Sequence, residues 1–488
     1  MRTRLVAIAM LVALGGAACG ARLPGAVQAQ ASREAFAVGP AAAGPGLSGA
    51  TPAPGGNPTA VASQPGTVVS SGGASAPAVG PARSSRASAS AAPSTSSGPT
   101  CSGGTDTGLT ASTMTIGLVA SLSGPVSGLF DGAVHGGETF ANYVNHAGGG
   151  ICGRQVKISV ADDGTNCTQD ENATTSLIGR SFALAGSFAL YDGCGASVLK
   201  QHPDVADVHV ALDPAADTPV NHFDVSSKVE GFATGMFHYY RQKYGAKLDR
   251  VGTIVENIPS AVAKQADQVH AAESQGWHFV DSISEQPTNS NFQNDFVKLC
   301  QREHITAFFE LTETAANAAT MVQNERQAGC SKSLLNIIPI AYDQAFISDY
   351  SGSKSDLNGI QGWNEYALFF NKDEAAGNPE VKLFQDWYER TYPGVPINLY
   401  GMFAWASDRL VQQAAEAVSG PLTRTSLMAS LRKIKNYDDG GMIAPTDPVS
   451  GAPHCYILYQ IQNGAFERVD DPKTGYRCDG KFLPRSAG

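Results

Sequence analysis

Nine cysteines and ten histidines are the side chains of this 488-residue sequence with the most chemical reach. The histidines are dispersed, as surface or hydrogen-bonded core residues usually are. The cysteines are too far apart for a CxxC zinc half-site. Setting Cys19 aside leaves Cys101, Cys152, Cys167, Cys194, Cys300, Cys330, Cys455 and Cys478, an even set that reads as disulfides in an exported chain. Eight cysteines allow about 105 pairings, so parity alone fixes no connectivity. Gly148-x-Gly150-x-x-Gly153 fits the dinucleotide pattern but follows a helical stretch and precedes a strand, the wrong order for a pyrophosphate site. There is no Walker loop, GxSxG elbow or HExxH pair. The sequence therefore points away from an enzyme and implies neither a cofactor nor a metal. The net charge of −10, with Lys and Arg scattered, gives no nucleic-acid surface.

The N-terminus carries the address. Arg2 and Arg4 precede the apolar run Leu5–Leu14, too short to span a bilayer as a helix. Small residues follow up to Cys19, the layout of a secretory signal over 1–19. A cysteine in that place resembles a bacterial lipobox, although Gly16 stands where such boxes usually have Leu. Lipidation of Cys19 would anchor the chain to the outer face of the cell membrane; ordinary cleavage after an Ala-x-Ala-like site, giving a freely secreted protein, is the alternative. Residues 20–112 are then expected as a linker. Up to Pro99 it is Ala, Gly, Ser, Pro and Thr with almost no aromatic residue, too little apolar surface to offset chain entropy.

From Thr113 the texture alternates. Strands are expected at 114–120, 155–160, 182–187, 207–212, 250–256, 278–284 and 305–311. Between them helices are expected at 134–146, 168–180, 194–206, 260–275 and 292–303. Strands alternating with helices at this spacing imply parallel sheets covered on both faces. About 370 residues is too long for one such sheet, so two lobes are expected.

These residues resemble a known family. Ile116-Gly-Leu-Val-Ala-Ser-Leu-Ser-Gly-Pro125, Gly136-Gly-Glu-Thr-Phe-Ala-Asn-Tyr-Val-Asn145, Ala147-Gly-Gly-Gly-Ile-Cys-Gly-Arg154 and Ala161-Asp-Asp163 are similar to type I periplasmic binding proteins of the branched-chain amino acid class. Tyr400–Val418 resembles that family's late helix and Tyr456–Gly464 its closing strand. The resemblance implies two flavodoxin-like, doubly wound lobes joined by three crossovers, with ligand held in the cleft between them. Lobe I is expected from 113–231 plus 371–437, and lobe II from 232–370 plus 438–482. It also implies a monomeric receptor that passes a small polar ligand, an amino acid or a related compound, to an ABC transporter permease. A sensing module working through a membrane signalling partner is the alternative; a scaffold whose cleft has lost its ligand is a third.

The resemblance suggests pairings as well: Cys167 with Cys194, Cys300 with Cys330, Cys455 with Cys478, and by remainder Cys101 with Cys152. For the ligand, the family's Ser position falls on Gly195 and its Pro-x-x-Thr segment on Pro214-Ala215-Ala216-Asp217, so both hydroxyls are replaced. Asp217 would repel a carboxylate and suit an ammonium or a polyhydroxyl ligand. The family's second-lobe Tyr falls near Ser260, and its later acidic residue on Asp343 beside Tyr342. Loop position adds Ser121, Ser123, Tyr191, Asp192, Asn257 and Glu313 as candidates. Asp163 is expected to cap the helix that follows it.

Overall fold

The computed structural model describes residues 101, 103–226, 231–310, 314–451 and 455–485. The expected signal, Cys19, the linker up to residue 100 and Glu313 lie outside the described residues. The linker was expected to run to residue 112, but residues 103–112 are part of the folded unit. Leu109 is buried, Cys101 is bonded to Cys152, and the Arg154 guanidinium donates to the carbonyls of Gly103, Gly104 and Thr110. One charged fork and one disulfide hold a stretch whose composition alone predicts no order.

The first sheet is built from β1 (Thr113–Ala120), β2 (Gln155–Asp162), β3 (Ala183–Ala185), β4 (Asp207–Val208) and β5 (His222–Phe223). Helices α1 (Asp131–His146), α2 (Cys167–Ile178) and α3 (Asp192–Leu199) connect them. Its order, β2-β1-β3-β4-β5, is the flavodoxin-like one, and every pair is parallel. Residues 116–120 of β1 are all buried, as a strand covered on both faces requires. Helix α3 stops well short of the expected residue 206. Pro203 offers no N–H and disfavours helical backbone at His202, so the helix cannot run through it.

The second sheet repeats the plan. β7 (Val251–Glu256), β8 (Phe279–Glu285), β9 (Ala307–Phe309), β10 (Leu335–Ile337) and β11 (Gln361–Asn364) pair in parallel, in the order β11-β10-β9-β7-β8. The antiparallel strands β12 (Ile457–Gln462) and β13 (Ala465–Arg468) extend it beyond β11. A two-stranded pair of β6 (Gly231–Ala233) and β14 (Phe482–Pro484) lies apart from it. The helices of this half are α4 (Gly235–Tyr244), α5 (Pro259–Ser274), α6 (Gln293–Val297), α7 (Ala315–Gln327) and α8 (Gln344–Asp349). Phe237, Trp277, Phe309 and Trp363 form an aromatic core here, with neighbouring ring centroids 5.3–6.0 Å apart.

After β11 the chain returns to the first half as α9 (Lys372–Gly377), α10 (Pro379–Thr391), α11 (Leu399–Glu416) and α12 (Arg424–Leu431), then leaves again for β12. It therefore passes between the two halves three times. The passing segments are stitched together: Asp224 N–H donates to Pro448 O (2.9 Å), Ala444 N–H to Glu365 O (2.7 Å) and Ala367 N–H to Met442 O (2.9 Å). Helix α11 crosses α1 at very short range. A β-carbon on Gly136 would lie 2.1 Å from the carbonyl oxygen of Gly401, and one on Gly132 would lie 2.0 Å from Oδ1 of Asn398, which caps α11 through Gly401 N–H.

Gly136→Ala should therefore destabilise the protein by about 1–3 kcal/mol through overpacking, although alanine is the better helix former. Gly377→Ala, where an added methyl meets nothing within 4 Å, should be neutral or slightly stabilising. Urea unfolding of both variants checks this; a Gly136→Ala protein as stable as the parent would mean the helices do not cross so tightly.

Candidate ligand-binding cleft

Open α/β sheets bind ligands beyond the carboxyl ends of their strands, where the loops converge. Segments following the strands of both sheets enclose a cavity of about 230 Å³. The first half supplies Phe130 from the β1–α1 loop, Phe188 and Leu190 after β3, and Val210 and Leu212 after β4. The second half supplies Ile258 and Ala261 around the start of α5, and Pro339 and Ile340 after β10. Trp363 to Tyr366 line it where β11 runs into the crossover, and Tyr400 and Phe403 reach in from the first turns of α11. The rings are in mutual contact: Phe130 and Phe188 lie 5.7 Å apart, Tyr400 sits edge-on to them at 4.8 and 5.1 Å, and Tyr366 meets Phe403 at 5.5 Å.

The polar lining is sparse and mostly on the second half. Ser260 Oγ and the side-chain amide of Asn364 are buried with no hydrogen-bond partner among the described residues. Burying such groups unpaired costs free energy, so they are the points at which a ligand's polar atoms would be held. The Lys264 ammonium lies 5.8 Å over the Phe232 ring and makes no ion pair among the described residues. Glu256 and Glu365 also line the cavity, and Glu365 accepts a hydrogen bond from Ser226 Oγ (3.1 Å). Burial, with the charges of Asp343 and Glu256 nearby, pushes the Tyr400 phenol up, so it stays a neutral donor.

The ligand candidates named from loop position are placed otherwise. None of those within the described residues lines this cavity. Ser121 Oγ donates to Asp163 (2.9 Å) and accepts from Leu190 N–H (3.1 Å), holding two loops together. Ser123 Oγ donates to Asp162 (2.5 Å). Tyr191 precedes α3, and the Asp192 carboxylate accepts the N–H groups of Leu212 and Asp213. Gly195 faces α2, where a β-carbon would meet the Asp170 and Thr174 side chains at 2.6–2.7 Å, so a serine here would require those side chains to shift. Ala215 N–H is taken by Asp213 in a turn, and Asp217 is buried beside His222. Asn257 is exposed and its N–H donates to Glu285 O. Tyr342 is a core residue, packed on Phe369, Phe370, Tyr459 and Phe466, with its hydroxyl accepting Phe370 N–H. Asp343 caps α8 through Ala345 N–H. The expected capping by Asp163 is done by Asn166 instead; Asp163 is buried, accepting from Ser121 and from Thr165 N–H.

Ser260, near which the family's second-lobe Tyr position falls, does line the cavity; the other lining residues left one signal in the sequence. Leu190, Val210, Leu212, Ile258 and Ile340 are large apolar side chains in strand-following loops, where polar residues are the rule.

The fold has clear relatives. The chain belongs to the periplasmic binding protein family, whose model matches residues 113–465. That family comprises solute-binding receptors, not enzymes, and implies an extracytoplasmic location. No curated protein matches the sequence. Among solved structures it is similar to a fatty acid ABC transporter substrate-binding protein from Thermomonospora curvata, with TM-score 0.63, 17% identity, 78% of this chain and 95% of that one covered. A branched-chain amino acid substrate-binding protein from Streptococcus pneumoniae in complex with isoleucine gives TM-score 0.60, 17% identity and coverage of 73% and 99%. A solute-binding protein from R. palustris in complex with benzoate gives 0.61, 15%, and 77% and 98%. Among the described residues no helix is long and apolar enough to cross a membrane.

The Gly195 contact carries a pH signature. Burial raises the Asp170 carboxyl to about 8, against the pull of the Gly195 N–H it accepts at 2.5 Å. The folded chain thus binds a proton that the unfolded chain releases near pH 4, and stability falls as pH rises from about 4 to 8. Asp170→Asn should remove that loss, gaining on the order of 1 kcal/mol or more over the parent at pH 9 and little at pH 4. Denaturant unfolding at the two pH values measures it, and equal pH slopes would contradict the assignment.

Proposed function

We propose that the chain is an extracytoplasmic receptor that closes two lobes over a small, predominantly apolar ligand and delivers it to an ABC importer. The carrying observation is the cavity itself: rings and aliphatic side chains from both halves, with a few polar groups gathered on the second. A small polar ligand was expected from the sequence, and this lining argues against it. Desolvating several charges or hydroxyls against Phe130, Phe188 and Leu212 would go uncompensated. An aromatic or aliphatic carboxylate suits the cleft better, its body on those side chains and its head toward Ser260, Asn364 and Lys264, turned from the Glu256 and Glu365 carboxylates that also line it. The fatty acid and benzoate receptors of the same fold support testing that class first.

The lobes are taken as divided near the boundaries expected from the sequence, except that the third crossing falls near Pro448. Tyr437 still donates its hydroxyl to Ala406 O on α11, and Arg409 lies 3.6 Å from Asp439, so residues up to there pack with the first lobe. The monomeric state and lipid anchorage through Cys19 are part of the same proposal, with the Ala/Gly/Ser/Pro-rich stretch as tether.

Thermal shifts of the disulfide-bonded mature chain against benzoates, medium-chain fatty acids, leucine, isoleucine, polyols and sugars test the reading. A ligand at about a hundred times its Kd adds roughly 2.7 kcal/mol of stability. Apolar carboxylates should raise Tm, Leu212→Asp should abolish the rise, and Lys264→Ala should weaken carboxylates about tenfold while sparing the matching amides. Polyols or sugars as the best ligands would overturn the ligand class, and no shift from any compound would count against the receptor reading.

A further inference from the structure

At the edge of the first sheet, among residues that do not themselves line the cavity, histidine and aspartate side chains meet in the interior. The His222 side chain is 2% exposed, and its Nδ1 lies 3.0 Å from Asp207 Oδ2. That contact turns Nε2 toward Asp217 Oδ1 at 3.6 Å and Asp224 Oδ2 at 3.8 Å. Neither separation is a hydrogen bond. His222 Nε2 and Asp224 Oδ2 are both buried without a hydrogen-bond partner among the described residues. Such groups should be satisfied in a native interior, either by ion pairing with a protonated His222 or by a cation held among them.

One imidazole nitrogen and two carboxylate oxygens, all within 4.8 Å of one another, are donors of the kind that bind a cation. Zinc binds such donors at about 2.0–2.2 Å in tetrahedral geometry, which sets them roughly 3.4 Å apart. The observed 3.6 and 3.8 Å need contraction by only a few tenths of an ångström. A protonated imidazole bonded to the same carboxylates would instead draw them to about 2.7–2.9 Å. A carboxylate on the far nitrogen of a ligating histidine fixes its tautomer and orientation, which is the place Asp207 takes. Asp207 is itself oriented by His209 Nδ1 at 3.1 Å, and His209 Nε2 lies 3.7 Å from Asp192.

We propose that Asp217, His222 and Asp224 form a buried site for a divalent transition-metal ion of the zinc class, completed by a water, with Asp207 as the orienting residue. An N/O donor set with imidazole favours zinc over calcium or magnesium, which prefer oxygen alone. The site would also reach the hinge. Asp224 Oδ1 accepts Ser226 N–H (2.6 Å), Asp224 N–H donates to Pro448 O, and Ser226 Oγ donates to Glu365 in the second crossover. The ion would thus pin β5 where the first crossover begins.

The test uses the full mature chain without an affinity tag, stripped with a chelator and titrated with Zn²⁺ against a chromogenic competitor. One tight equivalent is expected, with a Tm rise on zinc addition that EDTA reverses. Asp224→Asn retains Oδ1 for Ser226 and should lose the equivalent, as should His222→Gln, while Asp207→Asn should weaken binding about 10–100-fold. His238→Gln, on a surface histidine, should change nothing. Because a buried substitution can unfold the chain, Co²⁺ is added to the parent protein as well, where tetrahedral d–d bands are expected. No tight equivalent, unaltered binding by folded Asp224→Asn and His222→Gln proteins, or only octahedral Co²⁺ bands would each overturn the proposal.

Discussion

The contact of Gly136 with the backbone of Gly401 is the constraint from which the rest follows. Helix α1 belongs to the first passage of the chain through its lobe and α11 to the second, more than 250 residues later. Only residues without side chains let the two helices approach so closely, and that approach joins two distant stretches into one lobe. It also aims the first turns of α11, so that Tyr400 lands on Phe130 and Phe188 and Phe403 meets Tyr366. The cleft's aromatic wall is therefore a by-product of a glycine crossing. A methyl group at the crossing would tilt α11 and move the wall with it.

That wall and the scarcity of polar groups define the chemistry. Apolar burial is non-directional and scales with area, about 25 cal/mol per Å², so it supplies affinity with little orientation. Orientation must come from the groups without partners among the described residues, Ser260 Oγ and the Asn364 amide, with Lys264 adding a charge. A pocket so divided tolerates variation in a ligand's apolar body more than in its polar end, because only the latter meets groups that are penalised when unpaired.

Most of the architecture was legible in the sequence because it rests on local rules. Alternating strand and helix segments such as 114–120 and 134–146 read off periodicity, and the glycine-rich signature over 136–154 named the family. Of the polar cleft residues Ser260 was legible through the family's second-lobe position; the others were not, for a physical reason. Asp192, Asp217 and Asp343 sit in the right loops, but buried N–H groups and histidines compete for their carboxylates, and that competition exists only in three dimensions. Gly195 looked like a lost ligand serine; its α-carbon instead faces Asp170, an orientation that no motif records. Periodicity likewise cannot separate an apolar residue lining a cleft from one that finishes a strand, so Val210 and Leu212 read as the continuation of β4.

The disulfides are placed within the halves of the molecule and not between them. The disulfides join Cys101 to Cys152, Cys167 to Cys194, Cys300 to Cys330 and Cys455 to Cys478, across sequence separations of 23–51 residues. Closing loops of that size is worth roughly 3–4 kcal/mol each in the chain-entropy picture. Each pair lies within one half: the first two tie the N-terminal segment and the α2–α3 edge to the first sheet, the last two brace α6 against the end of α7 and the β12–β13 extension. None of these four crosses the hinge, where the three passing segments meet through backbone hydrogen bonds and the Ser226–Glu365 contact. Covalent cross-links are thus confined within the two halves, and the joint between them is left to hydrogen bonds, which exchange far more readily than a disulfide breaks.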